Sequence, residues 1–471
     1  MSVPRIGRAR RAREKGSRGR VKPRVVLYLS LFSGLVLGLL SFHFDRQSPW
    51  FYSFLSWGEL LATGLIAAVL LSMLVLYLRY RRPELWQEER ALAFLGGLVI
   101  AILVLDKAAS FLSPYLVPVA LGVGLGVIFF GTEVGLVLTV AIALSVGLGR
   151  ELAPTESLVA CGGGLAMLFG VRRIRRGSDL ALAGIGVSLV NMLLLLAATI
   201  PSGTAPWNAV VWAGLNGPVS YLLLLGGIPL SEYLTGKTSP LGLTELLSPA
   251  HPLMERLQRE APGTYHHARN VAHLGANAAR TIGADPLLTE VGGYYHDIGK
   301  LGNAGYFAEN QEAGENPHDE LSPSMSKLVL TAHVRHGLEL GRRFGLRRDV
   351  LRFIPEHHGT SVIRYFYLKA LQERKGKISV EDYRYEAARP RTRETAIIML
   401  ADSVEAATRA AGNENLAEVI HEQVRAKLED GQLDESPLTI ADLHKIERAF
   451  YETLRAMRHG RPESYPRPSE T

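Results

Sequence analysis

Two dipeptides concentrate reactive groups in this sequence. His296-Asp297 lies between Gly-Gly-Tyr-Tyr and Ile-Gly-Lys, and His357-His358 lies in Pro-Glu-His-His-Gly. Asp402 interrupts an apolar run, Met-Leu-Ala-Asp-Ser-Val-Glu. Ten of the 14 histidines crowd into residues 251–358, at positions 251, 266, 267, 273, 296, 318, 333, 336, 357 and 358. Neither core packing nor solubility requires such crowding. A carboxylate on an apolar helix is expensive to bury alone, and a cation is its natural partner. Imidazole nitrogen suits borderline metals such as iron, manganese or zinc, and an aspartate can bridge two of them. The single cysteine, Cys161, lies in an apolar segment beside Gly162, Gly163 and Gly164, so any metal site must use His and carboxylates. Paired divalent cations suit phosphodiester hydrolysis, because they acidify water and offset charge on phosphate oxygens. Lys300, three residues after Asp297, is either a further cation near the phosphate or a solvated loop lysine.

The elements that must position these groups are helices. After Pro240, apolar residues recur at three- and four-residue spacing over 274–282, 325–340, 396–407 and 440–457, with few alternating β-branched runs. Asp285-Pro286 and Ser322-Pro323 read as helix starts. Residues 302–323 and 373–394 read as polar connections.

The first half is different in kind. From 25 to 231 the sequence is a series of apolar stretches, predicting about eight spans near 25–42, 58–78, 92–111, 113–130, 132–149, 156–171, 179–200 and 207–231. Arginines at 79, 81, 82, 90, 172, 173, 175 and 176 fall in alternate loops, whereas the opposite loops carry Arg46 and Arg150. That asymmetry puts the N-terminus and the C-terminal half in the cytoplasm of a multi-pass plasma-membrane protein. Glycines in these spans read as helix-packing sites. Asp106 and Lys107 lie near a span end, where they reach the interface, pair locally or serve a function. The formal charge of +7 is a property of the tail: residues 1–24 hold ten Lys/Arg and one acid, or +9, leaving −2 elsewhere. A basic tail before an apolar stretch reads as an anchor to anionic lipid rather than a nucleic-acid arm, so no nucleic-acid partner is expected.

The order His267…His296-Asp297…His333…His357-His358…Asp402 resembles that of HD-domain phosphohydrolases. The flanks PGTYHHARNVAHLG, VGGYYHDIGKL, YFAENQ, NPHDELSPSMSKLVLTAHVRHG, EHHGTSVIRYFYLKA, ADSVEAA and GQLDESPLT are similar to the seven-transmembrane-receptor HD hydrolases of the PgpH type. The resemblance implies an all-α protein. A basic tail (1–24) would lead into a transmembrane bundle (25–231), followed by a linker (232–249), a cytoplasmic all-helical HD domain (250–460) and a flexible tail (461–471). It also implies two divalent ions, manganese or iron. One would be held by His267, His296 and Asp402, the other by His333, His357 and His358, with Asp297 bridging. His266, His273, His318 and His336 are read as structural or supporting residues. Asp297 and Lys300 are the expected catalytic groups, and the implied reaction is hydrolysis of cyclic di-AMP to pApA.

Two departures stand out. About 15 residues, from His43 to Trp57, separate the first two spans, where the family carries a large extracellular domain. The run YRYEAARPRTRE also lacks the family's Pro-Gly. Hydrolysis of another nucleotide, or nucleotide binding without turnover by a membrane receptor, remains open. So does the oligomeric state.

Overall fold

The computed structural model describes residues 57–459 apart from 149–153, 173, 175, 203–206, 312–315, 374–377 and 413–414, together with the pairs 42–43 and 53–54. The tails at 1–24 and 461–471 and most of the span expected at 25–42 lie outside the described residues. The chain divides into two compact units, Met1–Thr235 and Gly236–Thr471. Both are helical. Among the described residues one ladder pairs β1 (Phe42–His43) antiparallel with β2 (Ser53–Phe54), Phe42 opposite Phe54.

In the first unit, α1 (Trp57–Arg81) and the short α2 (Pro83–Gln87) precede α3 (Glu89–Ser110), α4 (Val119–Phe130), α5 (Thr132–Leu148), α6 (Pro154–Gly170), α7 (Gly177–Thr199) and α8 (Trp207–Thr235). By length and composition, α3, α7 and α8 are each able to cross a bilayer. The helix expected over 113–130 starts only at Val119. Pro114 and Pro118 cannot donate backbone hydrogen bonds and disfavour helical geometry in the residue before each. The chain there makes a single 3-10 turn, Pro114–Leu116. In an apolar layer the freed carbonyls need partners. Asn216 of α8 supplies them, its Nδ2 donating to the Tyr115 and Val117 carbonyls at 2.9 and 2.7 Å.

The second unit starts with α9 (Pro240–Leu246) and α10 (Pro252–Glu260). The long α11 (Pro262–Ile282) and α12 (Pro286–Tyr295) follow, then α13 (Pro323–Arg343), α14 (Arg348–Leu351) and α15 (Phe353–Glu356). The last elements are α16 (Arg364–Glu373), α17 (Arg393–Ala411), α18 (Leu416–Glu429) and α19 (Ile440–His459). Asp285 caps α12 by accepting from the amides of Leu287 and Leu288, and Ser322 caps α13 by accepting from Met325. With proline in the first turn, both ends are fixed by sequence.

Two large apolar clusters, with a smaller third around Ile363, Phe366 and Tyr383, hold this unit together. One joins α11, α17, α18 and α19 through Val271, Leu274, Ile397, Leu400, Val404, Val424, Ile446 and Phe450. The other joins α10, α12, α14 and α15 through Leu253, Leu257, Val291, Tyr295, Val350 and Ile354. Between α12 and α13 the chain makes a 3-10 turn, Ile298–Gly302, that lies against α13. Contact is possible because residue 299 is glycine: a Cβ there would stand 1.8 Å from the His333 carbonyl oxygen. Gly299→Ala must push the turn off α13. We expect it to cost about 1–3 kcal/mol, read as a lower unfolding midpoint of the second unit. An unchanged midpoint would show that the contact is not required.

Candidate metal centre

Five segments converge on one buried pocket. His267 comes from the middle of α11, His296 caps the C-terminal end of α12, and Asp297 begins the turn that follows. His333 projects from α13, His357 caps α15 with His358 next in the chain, and Asp402 lies on α17. Ligand-capable atoms of His267, His296 and Asp402 lie within 4.8 Å of one another, as do those of Asp297, His333, His357 and His358.

Asp297 stands between the two sets. Its Oδ2 is 3.2 Å from His296 Nε2 and 3.6 Å from His267 Nε2. Its Oδ1 is 3.5 Å from the Nε2 atoms of both His333 and His357. Asp402 Oδ1 lies 3.1 Å from His267 Nε2, and Asp402 Oδ2 lies 4.0 Å from His358 Nδ1.

The outer nitrogens of the rings are engaged. Nδ1 of His296 donates to the Gly293 carbonyl, that of His333 to Leu330 and that of His357 to Phe353, at 2.7, 2.5 and 3.1 Å. His267 Nδ1 donates to Glu405 Oε2 at 2.6 Å. In a neutral ring whose outer nitrogen holds the proton, the inner Nε2 carries a lone pair. The buried Nε2 atoms of His267, His296, His333 and His357 and Oδ1 of Asp297 have no hydrogen-bond partner. Buried polar atoms are rarely left so. A cluster of inward-facing lone pairs around a carboxylate fits divalent cations, and the donor set of imidazole and carboxylate fits first-row metals.

Electrostatics agree. Burial alone would raise the Asp297 carboxyl, but Lys300 and His296 hold it well below the usual range. Burial likewise opposes ionisation of Asp402, and His267 overrides it, so Asp402 also stays ionised. Burial pulls His333 down to about 4, which keeps its ring neutral at physiological pH. His267 is the exception: burial would lower it, but the carboxylates of Asp402 and Glu405 beside its two nitrogens hold it up at about 10.

Lys300 reaches the pocket with its ammonium engaged on both sides, 2.7 Å from Asp297 Oδ2 and 2.6 Å from Glu309 Oε1. Thr264 donates to the same Glu309 oxygen. His266 and His273 are exposed. His318 and His336 contact backbone carbonyls, of Tyr306 and Gly299 respectively. Sequence reading missed Glu405 and Glu309. The signal for Glu405 was available, since it lies three residues after Asp402 and so shares its helix face.

Two outcomes are expected here. Glu405→Gln should weaken metal affinity about 10- to 100-fold, measured by competition with a chromophoric chelator. An ion binds only neutral His267, so uptake at neutral pH should release a proton, and affinity should rise with pH toward 10. Calorimetry in buffers of different ionisation enthalpy reads this directly; an affinity flat in pH would contradict it.

The comparisons follow the same division of the chain. Residues 57–239 match the family model described as 7TM receptor with intracellular HD hydrolase, and residues 264–407 match that of the HD domain. The cyclic-di-AMP phosphodiesterase PgpH of Bacillus subtilis (strain 168) is 31% identical over 430 residues, covering 87% of this chain and 60% of that protein. The PgpH of Listeria monocytogenes serotype 1/2a (strain 10403S) is 38% identical over 304 residues, covering 63% of this chain and 42% of that protein. This chain thus spans less than two thirds of the length of either relative. The crystal structure of the L. monocytogenes PgpH HD domain in complex with cyclic-di-AMP is 38% identical, with a TM-score of 0.43, and covers 45% of this chain and 99% of that one. This multi-pass membrane chain belongs to the family of 7TM receptors with intracellular HD hydrolase domains.

Proposed function

We propose that this protein is a membrane-bound, metal-dependent phosphodiesterase that hydrolyses cyclic di-AMP to pApA, with its HD unit on the cytoplasmic face. The observation that carries the reading is the placement of Asp297: its two oxygens face two separate histidine sets whose inner nitrogens have no other partner. The substrate assignment rests on the PgpH relatives, and the orientation on the arginine-rich loops around 79–90 and 172–176.

His267, His296 and Asp402 would hold one ion, His333, His357 and His358 the other, and Asp297 both. Two bound divalent ions, manganese or iron, supply an activated water and neutralise phosphate charge. The remaining work belongs to the chain. Lys300 and Glu309 fix the Asp297 carboxylate between the two sets. Glu405 holds the His267 ring with its lone pair inward. The close packing of α11, α12 and α17 buries most of these groups, so the preorganised charges act in a low dielectric. Lys300 is a positioning residue in this scheme, since its ammonium is already committed.

The test uses the full chain in detergent, loaded with Mn2+ and offered cyclic di-AMP, cyclic di-GMP and nucleoside triphosphates. Release of pApA, without turnover of the others, is expected. Turnover of another nucleotide alone would replace the substrate assignment, and no turnover by fully metallated protein would favour a nucleotide-binding receptor. Asp297→Ala should abolish activity and lower metal content at both positions, read by elemental analysis. An active, fully metallated variant would overturn the bridging role.

A further inference from the structure

Exposure of the candidate ligands is concentrated in two of them. The side chains of His267, His296, Asp297, His333 and His357 are at most 4% exposed, whereas those of His358 and Asp402 are 20% and 16% exposed. A ligand therefore enters over His358 and Asp402. Tyr385 forms part of this mouth, its ring stacked on His358 with centroids 4.1 Å apart and planes at 20°.

The mouth is built by the loop after His358, pinned to the end of α18. Gly359 takes a φ of +54°, and a Cβ there would stand 2.5 Å from Gln432 Oε1. That oxygen accepts from the Thr360 amide at 2.9 Å. One turn earlier on α18, Lys427 donates from Nζ to Ser361 Oγ at 2.8 Å.

The charges around Lys427 do not balance it. Asp430 binds Arg384 through both oxygens, at 3.1 and 3.0 Å, and also accepts from Gln432 at 2.8 Å. Asp402 acts on the ammonium only through longer-range charge, and belongs to the metal centre. Among the described residues no carboxylate forms an ion pair with Lys427. A half-buried ammonium with one of its three donors satisfied is costly. Burial does lower its pKa, against the pull of Asp402 and Asp430. An anion arriving at the mouth would relieve that cost.

We propose that Lys427 binds a non-bridging phosphate oxygen of the substrate at the mouth of the pocket, the role that sequence reading held open for Lys300. The inference rests on the phosphodiesterase reading, and the substrate class it selects is a phosphodiester whose phosphate projects past His358 and Asp402 toward α18.

The experiment compares full-length wild type with Lys427→Met and Lys427→Arg, all loaded with Mn2+. It measures metal content, unfolding midpoint, hydrolysis of cyclic di-AMP and of bis(p-nitrophenyl) phosphate, and affinity for inorganic phosphate by calorimetry. Lys427→Met should keep both ions and its midpoint, yet lose about 10- to 100-fold in phosphate affinity and in kcat/KM, mainly through KM. Lys427→Arg should recover most of the loss. Lys427→Met within twofold of wild type in both phosphate affinity and KM overturns the proposal, as does loss of metal or of folding that Lys427→Arg does not repair while phosphate affinity per folded, metallated molecule is unchanged. Wild type that binds phosphate but cleaves only the chromogenic diester would overturn the cyclic di-AMP assignment, leaving Lys427 to be judged on phosphate affinity.

Discussion

Placing a carboxylate at the centre of a helical unit costs several kcal/mol unless positive charge meets it. Asp297 is such a group, and much of the second unit is arranged to meet that cost. Lys300, held in turn by Glu309, braces one of its oxygens, and four imidazoles turn Nε2 atoms with no hydrogen-bond partner toward the pair. The turn that carries Asp297 reaches α13 only because Gly299 lets two backbones touch. Removing any of these supports leaves a buried charge without a partner, which is why packing and chemistry are not separable here.

The surrounding shell does a different job from the ligands. Glu405 lies on α17 and orients a ring on α11, 138 residues earlier. The apolar cluster of α11, α17, α18 and α19 fixes the spacing across which that bond forms. Arg384, Asp430 and Gln432 fix the loop after His358 in the same way, with charge-assisted bonds in a polar rim. The inner groups bind; the outer groups keep them aimed.

How much of this was legible in the sequence follows from the range of each interaction. His296, Asp297, His357 and His358 sit in short motifs, and the structure places them with His267, His333 and Asp402 in one pocket. The starts of α12 and α13 were readable because cap and proline are adjacent in the chain. Lys300 was legible as a residue of the site but not in its bonding, since Glu309 comes from a separate 3-10 turn. Lys427 carried no motif at all, and its place depends on the pinning of α18 to residues 66 or more positions earlier. In the membrane unit, hydropathy alone predicted a helix through 113–130. The prolines break it, and the side chain that makes the break tolerable, Asn216, is about a hundred residues away.

The inward aim of His296, His333 and His357 has a consequence of its own. Each ring is tied to a carbonyl three or four residues back along its own segment. Their tautomers are thus settled by short stretches of chain, before any ion arrives. A receptacle prepared in this way can exchange its cargo without remodelling, and imidazole–carboxylate donors discriminate weakly among neighbouring first-row elements. Which ion occupies it is then set by availability as much as by the donor set.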